Sequence, residues 1–236
     1  MKSVRTALSA LLLLTSWTAQ AADPVTEAIS QAYVPYRVAL FQTNMKAQKE
    51  SEQAMAQAQQ AWQSLTERFA MKPTLPYEGD PAFRTTLQEV GKVYDQAAGE
   101  IRLQKLAQAH ETLEKVRDLL AGLRQRNGVV VFSDHMNAYH EAMEHLLNDG
   151  AAMTASPQGM LTLVERVGVL AYLAGRLRSE APKSMLGNPD FTTALEALEA
   201  SVAQLRQAAL KQDATAARDA LSQIKRPYSR MFIKFG

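Results

Sequence analysis

The sequence predicts an all-α protein, an up-down helical bundle, and three observations carry that reading. Alternating apolar and polar runs of strand type are almost absent, while Ala, Leu, Gln, Glu, Lys and Arg dominate. Proline and glycine cluster at a few points and leave long helical tracts between them. Apolar residues make up 47% of the chain, enough to fill the core of such a bundle.

Residues 1–21 read as a secretory signal. Lys2 and Arg5 form its basic start, Ala7 to Leu14 a short apolar core, and Ala19-Gln20-Ala21 the small residues a signal peptidase accepts. That run is too short to span a bilayer, and no later segment is long enough to do so. With no cysteine there is neither a disulfide nor a lipoprotein anchor, and the expected location is the bacterial periplasm. Removing Lys2 and Arg5 from 26 cations leaves 24 against 24 acids. A chain of zero net charge lacks the basic face of a nucleic-acid binder.

Residues 22–236 read as one helical domain, because no long flexible linker divides them. Pro35 suits the first turn of a helix running to about Met71, followed by a loop from Lys72 to Gly79. Asp80-Pro81 reads as an N-cap with proline at the first helical position, opening a helix to about Arg124. Ser156-Pro157 and Asn188-Pro189 open two more helices by the same device. A shift of 108 residues lays Pro81 on Pro189, Phe83 on Phe191, Thr85 on Thr193, Arg117 on Lys225 and Gly128 on Gly236. The expected architecture is two helix-loop-helix repeats, at about 36–128 and 157–236, plus one inserted helix.

That inserted segment starts with Val129 to Phe132, the one β-like run, expected to cross between helices. Ser133 or Asp134 then caps a helix whose apolar stripe is Phe132, Met136, Tyr139, Met143 and Leu146. On the preceding helix Leu103, Leu106, Leu113 and Leu120 define the buried stripe.

Function rests on a motif that occurs twice. His-Glu-x-x-Glu stands at His110 to Glu114 and again at His140 to Glu144, on either side of an Arg126-Asn127-Gly128 break. An antiparallel hairpin about that break brings the two copies level. Two of the four histidines in the chain lie in this setting, each with a carboxylate one turn away. Imidazole and carboxylate donors suit iron or zinc, and a thioether from Met143 or Met136 shifts the choice towards copper. The candidate metal site is therefore His110, Glu114, His140, Glu144 and Met143. The bland alternative is that each histidine bonds the glutamate at i+4 as an interface residue. Arg117 reads as a charge partner for a glutamate. Under the 108-residue shift His110 falls on Arg218 and Glu114 on Ser222, so the second unit lacks the motif.

Covalent haem is excluded because no cysteine is present. A non-covalent b-type haem on His140 or His110 ranks below a bare metal ion, because only Tyr139 and Phe132 supply large aromatics nearby. The chain shows no phosphate loop, cysteine nucleophile or Ser-His-Asp setting, and the reading is not an enzyme. The remaining methionines are scattered and read as core filler. From Lys225 to Gly236, cations alternate with Tyr228, Met231, Phe232 and Phe235. These aromatics are expected to close the end of the bundle, the second choice being a tail that docks on a membrane surface or a protein partner. The expectation is thus a periplasmic bundle that binds a transition metal, in metal handling or as a small redox module. The competing class is a metal-free adaptor or chaperone-like protein.

Overall fold

The computed structural model describes residues 23–236, and the signal segment expected at 1–21 lies outside them. The protein is all-α: every regular element among the described residues is helical. The helices are α1 Pro24–Asn44, α2 Gln48–Phe69, α3 Phe83–Arg102, α4 Leu106–Arg126 and α5 Phe132–Met153. They continue with α6 Pro157–Ser179, the single turn α7 Lys183–Leu186, α8 Pro189–Leu210, α9 Ala214–Gln223 and α10 Lys225–Phe235.

Several expected boundaries change. The first helix starts at Pro24, where the Asp23 carboxylate accepts from the Val25 and Thr26 amides. Pro35 lies inside it, and the helical bond that proline cannot make would have gone to the carbonyl of Gln31, an exposed residue. Both long helices expected from the sequence are hairpins. The first folds back at Lys46 and the second at Gln104, and a third hairpin turns at Gln212. These three residues have φ of 57°, 59° and 55°, the left-handed conformation usually given to glycine. After each of them the next amide bonds a carbonyl five residues back, on Gln42, Glu100 and Ala208 respectively. Without glycine at these turns, the helical pattern reads straight through them. Leu103 falls in the second turn and is exposed, not part of the buried stripe.

Asp80 does not cap α3, which begins at Phe83; its carboxylate accepts from Ala82 and faces Arg126. Ser156 and Asn188 do cap α6 and α8. Val129 to Val131 form an irregular connection and Phe132 begins α5. Asp134 sits in the first turn, where it accepts from the Val131 amide and pairs with the buried Arg124.

Packing follows chain order in two groups. In the first, α1 packs on α2, α2 on α3, α3 on α4, and α4 returns to α1. In the second, α5 packs on α6, α6 on α8, α8 on α9 and α10, and these return to α5. Thus α5 belongs with the second group and takes there the place that α1 has in the first. The buried positions correspond as well. Phe83, Leu87, Val90, Tyr94 and Ile101 of α3 are buried, as are Phe191, Leu195, Leu198, Val202 and Ala209 of α8, each 108 residues on. Ala109, Leu113, Val116, Leu120 and Leu123 of α4 match the buried Ala217, Leu221, Ile224, Tyr228 and Met231 at the same spacing.

The two groups meet through α10, which lies against α1, while the backbones of α4 and α5 stand apart and are linked by long side chains, Arg117 to His140 and Arg124 to Asp134. Among the described residues, all the buried apolar side chains join in one cluster. Tyr228, Met231 and Phe232 are part of it, so the aromatic tail closes the bundle, and docking through it would first require unpacking α10. No described helix is long and apolar enough to cross a membrane.

Candidate functional site

The two His-Glu-x-x-Glu motifs meet where the groups join, in a setting the sequence did not spell out. His110 projects from α4 towards α1, with its Nδ1 3.1 Å from the Leu40 carbonyl oxygen and 3.4 Å from Thr43 Oγ1. A carbonyl oxygen only accepts, so the ring proton sits on Nδ1 and Nε2 carries the lone pair. That lone pair lies 3.4 Å from Glu114 Oε1, one turn along the same helix. Burial pushes the His110 pKa below the usual histidine value, against the opposing pull of Glu114 and the Leu40 carbonyl. Burial thus favours the neutral ring, in which Nε2 turns its lone pair towards the Glu114 carboxylate.

His140 on α5 is engaged at both nitrogens. Arg117 Nη1 donates to its Nδ1 at 2.6 Å, and its Nε2 lies 3.3 Å from Glu144 Oε1. The ring stacks on Tyr228 with centroids 5.1 Å apart. Arg117 also pairs with Glu114, as expected, and lies over the Phe232 ring. This one guanidinium, 7% exposed, joins the two motifs. Lys225 Nζ reaches Glu144 at 2.7 Å. The His140 contact, followed by Lys225, lowers the Glu144 carboxyl to about 2 in spite of its partial burial.

His110, Glu114, Arg117 and His140 line one pocket of about 30 Å³ together with Asn44 and Ser229. That is room for an ion or two waters and far too little for a porphyrin. Glu144 lies outside this pocket, on the groove between α4 and α5. Met143 and Met136 are wholly buried on the core stripe, and neither lines the pocket, so the expected thioether donor is not at the site. Among the described residues, no three His, Asp or Glu side chains come together as a metal-ligand set. His145 is exposed, 4.0 Å from Glu141.

Sequence reasoning missed the bridging role of Arg117 and the contributions of Lys225, Tyr228 and the Leu40 carbonyl. The last three come from segments far along the chain. One signal was present, since the 108-residue shift lays Arg117 on Lys225, and both cations reach this junction.

No protein-family model, curated protein or solved structure matches the chain.

Proposed function

We propose that the protein binds one divalent first-row transition metal ion through His110 Nε2 and Glu114, in a metal-handling role rather than a catalytic one. The observation that carries this is His110 Nε2 facing Glu114 Oε1 at 3.4 Å beside a pocket of ionic size, with Nδ1 taken up by the Leu40 carbonyl. Two donors on a tetrahedral ion, each about 2.0–2.1 Å from it, stand about 3.4 Å apart. The Nδ1–H of His110, held by a backbone carbonyl, is the outer contact that fixes the tautomer of metal-binding histidines.

Asn44 and Ser229 line the same pocket, and on this reading water completes the shell. Nitrogen and oxygen donors without sulfur suit zinc or iron better than a copper relay. With only two strong protein ligands, and with Arg117 and Lys225 close by, binding in the micromolar range is expected. Both nitrogens of His140 are occupied, so it acts by holding Arg117 and Glu144 in place.

Zinc titration against a chromophoric competitor tests this reading. His110→Ala and Glu114→Gln should each weaken binding at least tenfold, while His140→Ala should change it by less than about threefold. Equal loss from all three variants, or no saturable binding by the parent protein, would overturn it. The latter result would favour the metal-free adaptor.

We also propose that the chain is an internal duplication with units at about 24–128 and 132–236. This is supported by the like packing order of the two groups and their matching buried positions. On that reading α5 is the counterpart of α1 and the metal pocket lies at the junction of the units; His110 and Glu114 come from the first, and Arg218 and Ser222 stand at the equivalent positions of the second.

A further inference from the structure

The outer face of α6 is not accounted for by the fold. Helices α5 and α8 flank α6 and leave one long face of it to solvent. Among the described helices, α6 alone carries more than one exposed large apolar side chain, namely Leu161, Val169 and Tyr172. Tyr172 is 65% exposed.

The order of residues on this face is regular. Leu161, Glu165, Gly168, Tyr172, Gly175 and Ser179 recur at alternating steps of four and three residues, the seam spacing of a coiled coil. All are exposed except the half-buried Gly168. The buried residues from Met160 to Leu177 form a separate stripe, so the helix carries two seams and the fold uses one.

The two glycines of the outer seam are a second observation. Glycine is the poorest helix former apart from proline, so inside a helix it usually answers to a close neighbour. Gly159 does, because a Cβ there would run into the Met153 backbone. Gly168 and Gly175 do not: a Cβ on either would meet nothing within 4 Å, and neither has a positive φ. Nothing among the described residues requires them, whereas a second helix approaching from outside would.

Read in reverse, the outer seam complements itself. Against an antiparallel copy related by a two-fold axis at the level of residue 170, Leu161 falls opposite Ser179, Glu165 opposite Gly175 and Tyr172 opposite Gly168. Each large side chain meets a small one, and every pair recurs across the axis. Charge agrees with size. Glu165 has no ion pair among the described residues, and in this register it lies beside Arg176 of the copy, which otherwise holds only the exposed Glu180. A parallel copy would set Tyr172 against Tyr172 and Glu165 against Glu165, a clash and a repulsion.

We infer that α6 is a dimer interface, pairing with α6 of a second copy as an antiparallel coiled coil about that axis. A single pair of helices is a small interface, so dissociation in the micromolar range is expected. The inference is independent of the metal reading, whose pocket lies between α1, α4 and α10.

Sedimentation equilibrium of the full chain across the micromolar range should show monomer and dimer in exchange. Gly168→Gln fills open space with a better helix former. It should therefore raise the melting temperature of the dilute monomer while weakening the dimer at least tenfold, and Tyr172→Ala should weaken the dimer at least fivefold. The chain has no cysteine, so single replacements report the register. Leu161→Cys mixed with Ser179→Cys should cross-link on oxidation, and neither variant should cross-link with itself. A monomer at every concentration would overturn the inference and leave the face to a different partner. So would a Gly168→Gln variant that dimerises like the parent, a mixture that fails to cross-link, or a cysteine variant that cross-links with itself.

Discussion

Glu144 joins α5 to α10, and its ionisation predicts how the bundle responds to acid. Its carboxyl is lowered from 4.5 to about 2, chiefly by the His140 contact and then by Lys225. A gap of about 2.5 between the folded and unfolded states corresponds to about 3.4 kcal/mol before screening. The side chain is 31% exposed, so water reduces this to about 1–2 kcal/mol. Because the folded value is the lower one, the contribution is fully present above about 4.5 and is lost as pH falls towards 2. Glu144→Gln keeps an acceptor for His140 and removes only the charge. Urea unfolding at a series of pH values should show the variant less stable by about 1–2 kcal/mol at pH 7, with the gap closing by pH 2. A gap of the same size at both ends of the series would refute the electrostatic account and leave only packing as its cause.

Further predictions concern the turns and the helix starts. Gln104→Gly and Gln212→Gly each relieve a left-handed side-chain residue and should stabilise the protein by about 0.5–1 kcal/mol, read as a higher urea midpoint. No change or a loss would mean that these side chains make contacts outweighing the backbone preference. Gly159→Ala should do the opposite, because its Cβ would sit 2.4 Å from the Met153 carbonyl oxygen, part of the backbone. A melting temperature lower by several degrees is expected, and an unchanged one would show that the α5–α6 turn can yield.

What the sequence made legible follows from what is periodic or capped. The stripe from Phe132 through Met136, Tyr139 and Met143 to Leu146 is buried throughout, and the caps at Ser156 and Asn188 form as their side chains suggest. The turns at Lys46, Gln104 and Gln212 were hidden because none carries the glycine that usually marks a left-handed helix end. The same gap in punctuation made α1 and α2 read as one helix. The repetition of His-Glu-x-x-Glu picked out α4 and α5, whose copies of the motif the structure brings to one junction. It could not show that a guanidinium would stand between the copies, because Arg117 reads from sequence only as a partner for the glutamate on its own helix. Nor does spacing reveal that Leu40 fixes the His110 tautomer, a contact made through a backbone carbonyl of α1.

The central claim is that His110, alone of the two motif histidines, offers its ring to a metal ion. X-ray absorption at the zinc edge, on protein loaded with one equivalent, counts the imidazoles directly. The account predicts one imidazole with a shell of oxygen donors and no sulfur, the imidazole signal disappearing in His110→Ala and persisting in His140→Ala. Two imidazoles, a sulfur scatterer, or a spectrum indifferent to His110 would contradict it.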